Sequence, residues 1–397
     1  MNIQYEPGAP ATPGRIALAE PVMTGNELAY IQECLETNWV SSAGPFVDRF
    51  EHMVADYVGV RYAVAMVNGT SALHIALLVA GVEPDDEVLV STLTFIAPAN
   101  AIRYANAWPV FIDCEPDYWQ MDPARVAHFL EQECTWDGDV VRNRRTGRRV
   151  KALLPVHILG HPCAMDALGA LAKRFNLAII EDATESLGAR YEGRMTGHLG
   201  DAACFSFNGN KIITTGGGGM FVTDDEVWAR RARYLSTQAK DDPVEYIHHA
   251  VGYNYRLTNI QAAMGCAQME QLDRYVAAKR RIAAEYTFGF TDVPGITCMQ
   301  AAPWAESTYW LFTVLVDPAI TGIDRRVLLE RLAGDGIQTR PLWQCLHQSP
   351  AYHPAQASLN GTAERLQAMG LSLPCSVNLP TAQVQYVVAR IKYHFVH

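Results

Sequence analysis

The sequence predicts an α/β protein: a large, mixed but mostly parallel sheet sandwiched by helices, followed by a smaller α+β domain. Three observations carry this. Short apolar runs alternate with helix-like stretches through the first two thirds of the chain, as parallel strands buried on both faces do. The polar residues that stand out sit where those runs end, which is where ligands gather in such sheets. Beyond residue 286 the alternation gives way to shorter strands and helices, placing a large domain at 1–286 and a small C-terminal one at 287–397.

Taken in order, Ala63-Val64-Ala65-Met66-Val67 is followed by a helical Ser71 to Val79, Glu87-Val88-Leu89-Val90 by Ala97 to Asn106, and Pro109-Val110-Phe111-Ile112 by Pro123 to Gln132. Then come Ala152-Leu153-Leu154-Pro155-Val156, a helix near Met165 to Phe175, and Leu177-Ala178-Ile179-Ile180 running into Glu181-Asp182. Runs this short, bounded by turn residues, are strands rather than helices. A long helix is expected from about Asn259 to Tyr286. The small domain is expected to hold a strand at Trp310 to Val316 and helices at Arg325 to Ala333 and Thr381 to Phe395.

The 397 residues are 49% hydrophobic and 19% charged, enough for one large core and a smaller second one. No run reaches the roughly 18 apolar residues of a membrane span, and residues 1–15 lack the pattern of a secretory signal, so a cytoplasmic protein is expected. The net charge of −10 argues against a nucleic-acid-binding surface. Nine scattered cysteines with no C-x-x-C pair argue against a disulfide framework or structural zinc, and no metal site is expected. The histidines His157 and His161 lie on a strand end and a loop, without the helical spacing of a metal hydrolase. A basic cluster, Arg142, Arg144, Arg145, Arg148, Arg149 and Lys151 around Thr146-Gly147, reads as a hairpin. It is either a charged, solvated edge or an approach to a diphosphate.

Five features at strand ends can be assembled into one site. Asn68-Gly69-Thr70-Ser71 opens a helix, where free N–H groups favour phosphate, although Ser and Thr there also serve as simple caps. Phe95 stands at a strand-to-helix turn and could stack on a planar ring or simply fill the core. Asp182 ends a buried strand, and a carboxylate there needs a partner such as a protonated pyridine nitrogen. Ser206 and Lys211 follow in Ser206-Phe207-Asn208-Gly209-Asn210-Lys211, just ahead of Gly216 to Gly219. A lysine held still and shielded can form a Schiff base with an aldehyde. Gly252-Tyr253-Asn254-Tyr255-Arg256 supplies polar and aromatic groups ahead of the long helix.

Together the Ser-Phe-x-x-x-Lys segment, the Glu-Asp-Ala element and Gly-Tyr-Asn-Tyr-Arg resemble the pyridoxal-phosphate-dependent nucleotide-sugar aminotransferases of the DegT/DnrJ/EryC/StrS type. That resemblance runs from Glu20-Pro21 to Leu371-Ser372-Leu373-Pro374 and implies the fold-type-I transferase architecture. It implies that Lys211 carries the cofactor's aldehyde as a Schiff base and moves the proton on the substrate carbon. Asp182 would pair with the pyridinium nitrogen, making the ring an electron sink. Gly69, Thr70, Ser71 and Ser206 would hold the phosphate, Phe95 would stack on the ring, and Glu185 and Asn208 would stand beside the cofactor. Asn254 would reach the phosphate of a neighbouring subunit, which makes a homodimer with shared sites a requirement. Tyr255, Arg256 and Arg340 are the candidate substrate contacts.

The implied reaction is ping-pong: L-glutamate gives its nitrogen to the cofactor, and a nucleotide-linked keto sugar accepts it. Asn208 stands where many members carry histidine, Gly217 where many carry glutamate, and Glu185 where glutamine is common. With the arginine-rich insertion, these departures look most like the subgroup acting on UDP-linked 4-keto-6-deoxy-N-acetylhexosamine, on the way to legionaminic-acid or bacillosamine-type glycans. Alternatives are a GDP-perosamine-type or a dTDP-linked 3- or 4-keto sugar, or a non-catalytic cofactor-binding regulator, whose usual mark is an added DNA-binding region.

Overall fold

The computed structural model describes residues 14–242 and 244–396. Its main sheet runs, edge to edge, through Tyr62–Met66, Gly219–Thr223, Ala202–Ser206, Ala178–Asp182, Arg149–Leu154, Glu87–Ser91, Trp108–Ile112 and Ala357–Ser358. Gly219–Thr223 is antiparallel to both its neighbours, and the other neighbouring pairs along this path are parallel. The apolar runs are continuous because successive residues feed opposite cores. Ala203, Phe205, Met220 and Val222 pack against Phe50, Leu272 and Tyr275 on one face. Val64, Cys204 and Phe221 pack with Leu73 and Ala76 on the other.

Helices follow the strands as expected, at Gly69–Val79, Ala97–Tyr104, Pro123–His128 and Met165–Arg174. The expected long helix is two, Asn259–Met269 and Leu272–Gly289. No proline or glycine marks the break at Glu270 and Gln271. Tertiary contacts set it: the Gln268 amide donates to the Val22 carbonyl and to Glu27 Oε1, while Leu272 is fully buried.

The second sheet, Ile296–Cys298, Phe312–Val316, Gly370–Leu373 and Arg340–Pro341, is antiparallel. Helices Arg325–Gly334 and Thr381–Val396 bury Leu328, Leu332, Val387 and Ile391 around it. The chain beyond residue 287 also returns to the large sheet through Ala357–Ser358, beside Trp108–Ile112. Buried Asp113 fixes that return, accepting the backbone N–H groups of Asn360, Gly361 and Ala363 at 2.7, 2.9 and 2.8 Å.

The basic hairpin is present, with Val141–Asn143 antiparallel to Arg149–Leu154 and Gly147 in the left-handed region of its turn. It precedes the strand it leads into, and so stands at the amino ends of the sheet. Arg149 is bound there by Asp86 and Glu83, and Arg148 lies over Trp108 at 4.5 Å. Within the chain this is the end away from Asp182 and Lys211, so the hairpin is a charged edge and does not serve that site as a diphosphate contact.

One tight approach joins the two sheets. Gly160 sits at φ +86°, and its carbonyl accepts the Thr308 N–H at 2.9 Å. A Cβ there would stand 2.8 Å from the Trp310 nitrogen. Gly160→Ala therefore combines backbone strain with overpacking, and is expected to lower stability by about 2 kcal/mol or more, read as an earlier urea unfolding midpoint.

Candidate active site

A cavity of about 640 Å³ opens at the carboxyl ends of the parallel strands, between the large sheet and the second sheet. Its wall includes Gly69, Thr70, Phe95, Glu185, Ser206, Asn208, Lys211 and Arg340. Residues as far apart in sequence as Leu18 and Ser372 thus meet in one place.

The helix Gly69–Val79 begins on this wall. Asn68 caps it, its side chain accepting the Ser71 N–H at 2.7 Å. The Gly69 and Thr70 N–H groups have no partner within their own helix, and the helix dipole adds partial positive charge beside them. Ser71 is buried behind the wall rather than on it. Gly69 is required for close approach, because a Cβ there would stand 3.0 Å from Ser206 Cβ and 3.1 Å from Thr184 Cγ2. Phe95 is 54% exposed, so its ring is free to stack on a ligand and does not fill the core.

The charged centre lies deeper. Lys211 Nζ is 3.6 Å from Glu185 Oε1, and it rests 4.2 Å from the centre of the Trp310 ring. The Leu159 backbone N–H donates to the other Glu185 oxygen at 2.8 Å. Burial pushes the Glu185 carboxyl up to about 7 against the pull of the Lys211 cation, and burial also raises Asp182. Asp182 is 2% exposed and accepts the Thr184 N–H at 3.1 Å; among the described residues no cationic side chain pairs with it. A buried carboxylate left in this state calls for a cation from a ligand.

These features fit pyridoxal phosphate. Asp182 suits a protonated ring nitrogen, the free helix N-terminus with Ser206 suits a phosphate, Phe95 suits the ring face, and Lys211 suits the aldehyde. His157 and His161 are occupied otherwise. The Cys163 N–H donates to His157 Nδ1 at 3.0 Å, leaving Nε2–H to donate to Glu181 at 2.9 Å. His161 Nε2 accepts the Ala302 N–H at 2.9 Å, and its Nδ1 lies 2.7 Å from the Pro162 carbonyl. Among the described residues no cluster of three potential metal ligands occurs.

Besides Ser71 and Asp182, which are buried behind the wall, three expected residues lie outside this cavity. Asn254 and Arg256 are exposed on the loop before the helix Asn259–Met269. Tyr255 stacks on Tyr253 with centroids 5.0 Å apart, its hydroxyl 3.3 Å from His74 Nδ1. Sequence reasoning in turn missed Trp310, Trp343 and Gln344, which line the wall. The sequence pattern places Trp310 in a strand, but that strand begins at Phe312 and leaves Trp310 to turn into the cavity.

The DegT/DnrJ/EryC1/StrS aminotransferase family matches residues 21–392. The GDP-perosamine synthase of Caulobacter vibrioides is 40% identical over 379 residues, covering 95% of this chain and 97% of that protein. The putative pyridoxal phosphate-dependent aminotransferase EpsN of Bacillus subtilis is 38% identical over 387 residues, with 96% of each chain covered. The crystal structure of DesI in the presence of its TDP-sugar product superposes with a TM-score of 0.87 at 30% identity, covering 98% of this chain and 95% of that one. The fold is thus that of the fold-type-I transferases, and no helix among the described residues is long and apolar enough to cross a membrane. With the family matched along nearly its whole length and a cavity suited to pyridoxal phosphate, the chain belongs to the DegT/DnrJ/EryC1/StrS aminotransferase family of pyridoxal-phosphate-dependent sugar aminotransferases.

Proposed function

We propose that the chain moves the amino group of L-glutamate onto the C4 keto group of a nucleotide-linked keto-deoxy sugar. The observation that carries this is a confined lysine on the cavity wall with, buried close behind that wall, the Asp182 carboxylate, which pairs with no cationic side chain among the described residues. Likeness to a GDP-perosamine synthase favours a GDP-linked sugar over the UDP-linked N-acetylhexosamine expected from the motifs.

Pyridoxal phosphate, when bound, supplies an electron sink and a carrier for the amino group. The protein's part is positional and protonic. Asp182 would hold a proton on the ring nitrogen by its charge. Gly69, Thr70 and Ser206 would hold the phosphate, and Phe95 would cover the ring. Lys211, once free, gives and takes the proton at the substrate carbon, with Trp310 on one side and Glu185 on the other. Arg340 is the exposed cation of the wall and is suited to the donor carboxylate or the sugar nucleotide's diphosphate.

Asn254 serves a second copy in this reading. Its loop exposes Val244, Tyr246, Ile247 and Val251 at 79, 68, 43 and 82%, an apolar surface suited to burial against a partner. Light scattering on the eluted protein is expected to return twice the 43.9 kDa chain mass; a monomer that retained full activity would refute the shared site.

Purified protein is expected to show an absorbance band of lysine-bound cofactor that Lys211→Ala abolishes, and a wild type without such a band would sink the assignment. Assayed with glutamate against GDP-, UDP- and dTDP-linked keto sugars, it should aminate the GDP-linked one fastest. Amination of a UDP-linked sugar alone would restore the subgroup expected from the motifs.

A pH effect follows from Glu185. Its folded value lies above the ordinary 4.5, so the folded, cofactor-free chain keeps a proton that the unfolded chain has lost. The Glu185 contribution to stability should therefore fall as pH rises from 4.5 to about 7. In Glu185→Gln that contribution should vanish while those of Asp182, Glu87, His74 and His161 remain, so the difference between the variant and wild-type curves, followed by urea unfolding across the window, isolates it.

A further inference from the structure

Lys279 lies on the helix Leu272–Gly289 and is 3% exposed, yet among the described residues no carboxylate pairs with it. Its ammonium donates to the Trp310 carbonyl at 2.8 Å, the Cys375 carbonyl at 2.6 Å and Cys375 Sγ at 3.4 Å. Three N–H donors thus meet three neutral acceptors. Burying an ammonium among neutral groups is costly, and an apolar side chain would suit a purely structural position better. The acceptors are informative. Trp310 and Cys375 flank the antiparallel pair in which Phe312 stands opposite Leu373, just where both strands leave the small sheet beside the cavity.

The same helix grips both segments at further points. Arg280 Nε donates to the Ser307 carbonyl at 3.0 Å, and the Tyr286 hydroxyl to the Pro374 carbonyl at 2.8 Å. Beyond its carbonyl, Trp310 is fixed at its other end, because its indole N–H donates to the Asn210 carbonyl at 2.8 Å. Asn210 is the residue before Lys211. The ring is therefore pinned between a buried lysine and the chain that carries the cofactor lysine, with its face 4.2 Å from Lys211 Nζ.

We propose that the Trp310 ring is the perch on which the Lys211 amine rests whenever it is not bonded to the cofactor, and that Lys279 is the positioning residue that sets the ring's height. This rests on the reading of Lys211 as the cofactor lysine. An aromatic face attracts an ammonium, so the perch favours the charged form of the released side chain and keeps it within reach of the substrate carbon. Other charged groups facing Lys211 are Glu185 at 3.6 Å, Asp182 behind it and Arg340 across the cavity wall. Lys279 touches neither substrate nor cofactor, and acts through Trp310.

The test is the pH at which cofactor-free protein captures pyridoxal phosphate at half its maximal rate, followed by the absorbance band and compared with Lys211→Ala. Trp310→Leu removes the face that stabilises the ammonium, so the midpoint is expected to fall by roughly half a pH unit or more. Trp310→Phe keeps a face and should restore part of the shift. Lys279→Met should lower the midpoint in the same direction. Lys279→Gln keeps N–H donors for the two carbonyls and serves if the methionine variant does not fold. Added to Trp310→Leu, either Lys279 variant should give no further shift, because its effect passes through a ring already absent. An unchanged midpoint in Trp310→Leu would overturn the perch. A normal midpoint in a folded Lys279 variant, or shifts that add independently, would overturn the role of Lys279. Absence of any capture band in the wild type would instead refute the cofactor lysine itself.

Discussion

Two adjacent carboxylates at the end of the strand Ala178–Asp182 are the constraint on which the site depends. Glu181 and Asp182 point to opposite faces of the sheet, as neighbours on a strand must, and both are buried. Glu181 is satisfied by the protein. It accepts the Gly197, Leu199 and Gly200 N–H groups at 2.8, 2.7 and 2.8 Å and the His157 Nε2–H at 2.9 Å. That arrangement closes the loop 197–200 and fixes the tautomer of His157, whose backbone N–H in turn donates to the Asp182 carbonyl at 3.0 Å. Asp182 is left on the opposite face, and among the described residues no cationic side chain pairs with it. The fold anchors one charge so that the other can be held in place for a ligand.

The distribution of charge around the cavity follows from this. Two buried carboxylates, Asp182 and Glu185, face Lys211, and burial holds both toward the protonated state. A phosphate brought into such a site is not met by a cluster of arginines. The cavity wall carries Arg340 alone of the arginines and otherwise presents the open end of the helix Gly69–Val79, the Ser206 hydroxyl and the amides of Asn68, Asn208 and Asn210. Oriented neutral donors bind an anion without adding full positive charges that would compete for Asp182 and Glu185. The glycines nearby serve proximity. At Gly219, for example, the strand runs against the Asn68 to Gly69 peptide, and a Cβ would collide with the backbone that presents the free N–H groups.

Much of this was legible because it is local. Asp182, Ser206, Phe95 and Gly69 stand at the ends of apolar runs, and in a parallel sheet those ends converge whatever the loops do. The alternation of runs and helices also gave the layers. What escaped the reading depends on contacts distant in sequence. The break at Glu270 comes from Gln268 reaching Val22 and Glu27, more than 240 positions away. The hairpin's distance from the site follows from which end of its strand it joins, a matter of direction that composition does not encode. Asn254 and Arg256 were recognisable as a motif, yet they do not reach the cavity of their own chain.

Trp310 shows the same limit most sharply. In the sequence it begins an apolar run and continues it without a break, so periodicity assigns it to a strand. In the fold, its backbone carbonyl is claimed by Lys279 and so is taken from any ladder, while its side chain is held by the indole N–H donating to the Asn210 carbonyl. The strand starts two residues later, beyond a carbonyl taken up by the buried ammonium and by the Cys375 thiol. A lysine in the middle of a helix carries no local sign of this, since its spacing fits a solvated face as well as a buried one. Only the convergence of two strand ends on its tip, 31 and 96 positions further along the chain, turns it from a surface charge into part of the frame that surrounds Lys211.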